Sequence, residues 1–95
     1  MSNYSPVGVV ARRLGIAEPA VQEMLDLGWL KTEKKNGISF LDGHQEYRAR
    51  FILALRAKKT LDNSQISFIL AEQEPPYSFQ QVDAILARMA ALTPA

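Results

Sequence analysis

Two short amphipathic segments lie three residues apart, and a hairpin signal follows them at once. Ser5-Pro6 reads as an N-cap with proline at the first helical position. Val7, Val10, Ala11 and Leu14 then fall at i, i+3, i+4 and i+7, and Gly15 stops the helix they predict. A second helix is expected from about Glu18 to Leu27, with Pro19 in its first turn. Its inner face would be Ala20, Val21, Met24 and Leu25, and Gly28 would end it. The link Gly15-Ile16-Ala17 has the length of a helix-turn-helix turn.

Trp29-Leu30-Lys31-Thr32 and Ile38-Ser39-Phe40-Leu41 are β-prone runs flanking the polar tip Glu33-Lys34-Lys35-Asn36-Gly37. An Asn-Gly pair between such runs is a strong local signal for a two-stranded hairpin, and one placed here would be a wing. Asp42 with Gln45 has capping-box spacing and opens a long third helix to about Lys58. Tyr47, Phe51, Ala54 and Leu55 are its expected inner stripe, with Ile52 on a neighbouring row. Asp62 with Gln65 repeats the device ahead of Ile66, Ile69 and Leu70. Pro75-Pro76 predicts a turn, and Ser78 with Gln81 opens a fifth helix. Phe79, Val82, Leu86 and Met89 on that helix would be a homodimer seam or a lid over the third and fourth helices. The expected class is therefore mainly α: a winged helix-turn-helix of about five helices with one short two-stranded hairpin. Residues 1–74 would form the winged domain and 75–95 the C-terminal helix.

Chemistry narrows the function further. The 95 residues include no cysteine and one histidine, His44, so thiolate or histidine-rich metal sites and Cys- or Ser-His relays have little to draw on. No cofactor and no catalysis are expected. With no apolar run of membrane-spanning length and no signal-peptide pattern, a cytoplasmic binding module is the expected class. Charge is unevenly placed. Residues 1–60 hold ten basic and six acidic residues, a surplus of +4, whereas 61–95 hold Arg88 against four acids, a balance of −3. A basic front suits a polyanion.

The order helix, turn, helix, wing, long helix, short helix, terminal helix resembles the DNA-binding domain of the MerR superfamily over roughly Ser5 to Leu70. Carrying segments are Val9-Val10-Ala11-Arg12-Arg13-Leu14-Gly15-Ile16, Leu27-Gly28-Trp29-Leu30-Lys31, Lys34-Lys35-Asn36-Gly37, Phe40 before Asp42, and Thr60-Leu61-Asp62 leading into Ile66 and Leu70. The resemblance implies a second helix in the major groove of double-stranded DNA, a wing along the backbone or minor groove, and a C-terminal dimer coil. With the chain ending at Ala95, the regulator so implied would lack an effector domain. At two places the pattern departs. Gln22 and Glu23 stand where the family has an Arg-Tyr pair, and Asn36-Gly37-Ile38-Ser39 replaces Asn-Gly-Tyr-Arg.

A looser resemblance, in Phe40 followed by Asp42 and in a long helix carrying Arg48 and Arg56, is to CbpM-type modulators. Those bind the J-domain of DnaJ-like co-chaperones on the same scaffold, and imply a protein partner with a basic helix. The expected nucleic-acid contacts are Arg12, Arg13, Lys31, Lys34 and Lys35 on phosphates and Gln22 on adenine, with Glu23 able to accept from cytosine N4. Each also has a plainer role. Arginines at a helix C-terminus offset its dipole, lysines guard an exposed strand, and Gln22 and Glu23 are ordinary helix-surface residues. Trp29 is expected to anchor the wing on the core.

Overall fold

The computed structural model describes residues 4–73 and 76–92, the side chain of Leu92 excepted. Three strands and five helices occur among them: β1 (Ser5–Pro6), α1 (Val7–Leu14), α2 (Glu18–Asp26), β2 (Glu33–Lys35), β3 (Ile38–Leu41), α3 (Gly43–Lys58), α4 (Asn63–Glu72) and α5 (Phe79–Leu92). The chain is mainly helical with a small antiparallel sheet, as expected. Packing divides it into two compact units at Ala54/Leu55, inside α3. The expected boundary at 74/75 and the first proline of the Pro75-Pro76 turn lie outside the described residues.

In the first unit, α1 buries Val7, Val10 and Ala11, and α2 buries Val21 and Met24 completely. Gly15 ends α1 in the left-handed region at φ 73°, donating to the carbonyls of Ala11 and Arg12. Gly28, at φ 79°, turns the chain after α2 so that the Trp29 amide reaches the Met24 carbonyl at 3.0 Å. Trp29 and Leu30 are buried as the chain leaves this cap, so Trp29 is the expected anchor. Arg48 Nε donates to the Trp29 carbonyl and holds the segment from α3.

Four local expectations are corrected. The sheet has three strands in the order β1-β3-β2, not two. Ser5 and Pro6 pair with Leu41 and Phe40, so Ser5 does not cap α1. Pro6 takes the N-cap position and no side chain caps the helix. Proline suits a sheet edge because it has no N–H to leave unpaired. The wing's first strand is Glu33–Lys35, not Trp29–Thr32. Asn36 and Gly37 both have positive φ, 52° and 78°, and make a two-residue turn that brings Lys35 directly opposite Ile38.

On α3, Tyr47 is exposed at 41%, while Ala49 and Ile52 are fully buried beside Phe51. The inner stripe thus runs through Ala49 and Ile52, with Tyr47 off it. At the start of α3, Asp42 accepts from the Gln45 amide, but Gln45 Oε1 accepts from the Lys31 amide at 2.9 Å instead of closing the box.

In the second unit the capping box at Asp62 and Gln65 is complete, and Ile66, Ile69 and Leu70 are buried. Ser78 Oγ accepts from the Gln80 amide. The Ser78 amide donates to Gln73 Oε1 and Gln73 Nε2 donates back to the Ser78 carbonyl. Buried Gln73 therefore takes the place expected of Gln81. α5 packs on α4 and buries Val82 and Ile85, while Phe79, Leu86 and Met89 are half-buried. Among the described residues no helix is long and apolar enough to cross a membrane.

The corrected α3 stripe has a measurable consequence. Ile52→Ala should cost about 2–5 kcal/mol in urea unfolding, whereas Tyr47→Ala should stay within roughly 0.5 kcal/mol. The reverse order would return Tyr47 to the core.

Candidate macromolecular interface

Helix α2 occupies the position a winged helix-turn-helix presents to its partner, and its two faces differ sharply. Val21 and Met24 point inward and are inaccessible. Glu18, Gln22 and Asp26 form one i, i+4 ridge on the exposed side, with Pro19 and Glu23 on the adjoining ridge. Together these five residues line a shallow cleft of about 630 Å³. The helix contains three carboxylates and no cation. Gln22 Nε2 donates to Asp26 Oδ1 at 3.2 Å, so the residue expected to read a base is turned toward a neighbouring acid.

Glu18 bears on a second element. A Cβ built on Gly8, in the first turn of α1, would lie 3.3 Å from Glu18 Oε2. The glycine thus leaves room for the carboxylate beside an N-terminus that no side chain caps. Helix N-termini attract anions through their free N–H groups and dipole. Glu18 thus places a negative charge beside the first turn of α1.

Several basic residues of 1–60 are engaged within the molecule. Arg13 Nη2 donates to Glu46 Oε1 at 2.7 Å and to Ser5 Oγ at 2.8 Å, and Arg50 Nη2 reaches Glu46 Oε2 at 3.1 Å. Within the second unit Arg56 bonds Asn63, Lys58 sits 4.9 Å from the centre of the Phe79 ring, and Lys59 pairs with Asp83 at 2.7 Å. The side chains of Arg12, Lys31, Lys34 and Lys35 enter none of these pairs and are exposed. Among the described residues, four of the six expected nucleic-acid contacts are therefore uncommitted cations, and Arg13 and Gln22 are engaged locally.

Those four are not gathered on one face. Lys34 stands opposite Ser39 and Lys35 opposite Ile38, and successive strand residues point to opposite sides of the sheet. Lys35 shares a small cleft of about 410 Å³ with Tyr4, Glu33 and Phe40. Lys31 precedes the strand in a loop whose backbone Gln45 holds, and Arg12 lies near the end of α1. His44 is exposed in the first turn of α3.

Sequence reasoning singled out Glu23 but passed over Glu18 and Asp26. The signal was present in the 18-22-26 spacing, which puts an acid at each end of Gln22. It also passed over Arg50 and Glu46, whose i, i+4 spacing announces their pairing.

Compared with protein-family models, with curated proteins and with solved structures, the chain matches none.

The wing's geometry rests on Gly37. Gly37→Ala places a Cβ at φ 78° and should cost roughly 1–2 kcal/mol. A thermal melt measures the loss, and cross-strand contacts between Lys35 and Ile38 report the hairpin; an unchanged melt and hairpin would deny the two-residue turn its role.

Proposed function

We propose that this winged unit is a protein-docking adaptor of the cytoplasm, that the exposed face of α2 is its docking surface, and that the partner presents a basic patch. The carrying observation is that the recognition-helix position displays Glu18, Glu23 and Asp26 with no cation on the helix. A carboxylate held about 4 Å from a phosphate costs roughly 1 kcal/mol in water and about 4 in the lower effective dielectric near a protein surface. The same carboxylates attract lysine and arginine side chains, and steer and select a basic partner. The resemblance to CbpM-type modulators makes the J-domain of a DnaJ-like co-chaperone the first partner to test. In this reading the protein acts through binding alone, without catalysis.

DNA binding, as a MerR-type regulator, is the second reading. It is favoured by one observation, the exposed and uncommitted Arg12, Lys31, Lys34 and Lys35. The three lysines around the wing would neutralise about one to three phosphates, giving a slope between about −1 and −3 for log affinity against log salt. Of the two roles open to α5, the lid fits the burial of Val82 and Ile85 better than the dimer seam. A monomer in sedimentation at micromolar concentration is expected, and a dimer would return Phe79, Val82, Leu86 and Met89 to a seam.

Two titrations separate the readings. Calorimetry with a J-domain should detect binding that Asp26→Lys weakens about tenfold or more, while Lys34→Ala/Lys35→Ala leaves it within about twofold. Fluorescence anisotropy of a generic duplex at about 50 and 200 mM salt should show only weak binding, at micromolar dissociation constants or above. Tight duplex binding that the double lysine variant weakens, together with no J-domain signal, would reverse the assignment.

A further inference from the structure

A cleft on the first unit, away from the exposed ridges of α2, carries a chemistry the adaptor role does not use. It measures about 580 Å³ and is lined by Tyr4, Ser5, Arg13, Glu46, Tyr47 and Arg50, with Gly43 at the start of α3 beside them. Two guanidinium groups converge there on one carboxylate. Arg13 reaches Glu46 Oε1 at 2.7 Å and Arg50 reaches Oε2 at 3.1 Å. The Glu46 side chain is only 17% exposed, whereas those of Arg13 and Arg50 are 46% and 54% exposed. The carboxylate therefore sits deeper and aligns the two cations, which stand out toward solvent.

One arginine would balance Glu46, so the second leaves this group of three with a charge of +1. A guanidinium carries five N–H donors in a planar fork suited to carboxylate and phosphate. Each uses a single terminal nitrogen on Glu46, and Arg13 adds one bond to Ser5 Oγ at 2.8 Å. Among the described residues, donors on both remain for an external anion. Tyr4 and Tyr47, 40% and 41% exposed, supply aromatic wall to the same cleft. Rings flanking a cationic centre favour an anion attached to something flat, because stacking adds to the charge-assisted hydrogen bonds. The volume exceeds the roughly 30 Å³ of one water many times over, enough for a phosphate and a ring together.

We propose that this cleft binds a phosphomonoester carried on a planar ring, with Arg13 and Arg50 holding the phosphate, Glu46 positioning them, and Tyr4 and Tyr47 contacting the ring. Nucleotides and aryl phosphates, including phosphotyrosine, share this chemistry. The site uses residues of β1, α1 and α3, and it stands whether or not α2 docks a protein.

The test is an amide NMR titration of the full chain with adenosine monophosphate, phenyl phosphate and adenosine. At least one of the two phosphates should shift the amides of Ser5, Gly43, Glu46 and Tyr47, and adenosine should not. The tighter phosphate identifies the ring class. Arg50→Gln, a change on an exposed side chain, should weaken binding about tenfold or more while the rest of the spectrum stays native. Arg50→Lys should fall between, since it keeps the charge and loses the fork. The proposal is overturned if neither phosphate shifts these amides, if adenosine shifts them equally, or if Arg50→Gln binds as the parent does.

Discussion

Strand β3 is the constraint on which the first unit depends. Its four residues pair on one side with Ser5–Pro6 and on the other with Glu33–Lys35. The first pairing sets where α1 begins, since Val7 follows Pro6 directly. The second sets the wing, because Lys35 and Ile38 must face each other across Asn36-Gly37. Leu41 ends the strand almost completely buried, and Asp42 then caps α3. Gln45, one turn on, reaches back to the Lys31 amide and fixes the approach to β2. Four strand residues thus tie the start of α1, the wing and the start of α3 into one unit, and α2 packs on α1 within it.

This frame decides which charges are available to a partner. The arginines nearest the sheet and α3 are drawn into local work: Arg13 and Arg50 on Glu46, Arg48 on the Trp29 carbonyl. Exposed pairs of this kind are worth about 0–1 kcal/mol each, so their effect on charge display exceeds their effect on stability. The wing keeps its lysines uncommitted but divides Lys34 from Lys35 across the sheet. The buried face of α2 fixes its exposed face in turn: with Val21 and Met24 inward, Glu18, Gln22 and Asp26 must face solvent. A net surplus of positive charge in the sequence thus coexists with an acidic ridge at the position a winged unit offers to its partner.

Much of the fold was legible in the sequence because its signals are local. Gly15 and Gly28 adopt the left-handed conformation that only glycine takes without cost. Asp62 and Gln65 close their capping box, and Val21, Met24, Ile66 and Ile69 fall on buried helix faces by periodicity alone. What was not legible depends on partners far away in the chain. Nothing near Ser5-Pro6 announces that Leu41 and Phe40 will recruit it as a strand. Gln45 carries an amide that serves equally in a local cap or in a distant bond, and tertiary structure chose the latter. Hydrophobicity points Tyr47 inward although its ring tolerates water, and Ala49 is too small to signal the buried position it holds. At the candidate interface, uneven charge along the chain was legible, but which cations are engaged locally and which stand exposed required the fold.

The central claim is that α2, and not the wing, meets the partner. Backbone amide NMR of the labelled chain, mixed in turn with a J-domain and with a DNA duplex, reads the contact residue by residue. The account predicts that the J-domain perturbs Glu18 through Asp26 and leaves Lys34, Lys35 and Gly37 in place, with only weak changes from the duplex. Strong duplex-induced shifts at Gln22 and across the wing, with none from the J-domain, would contradict it.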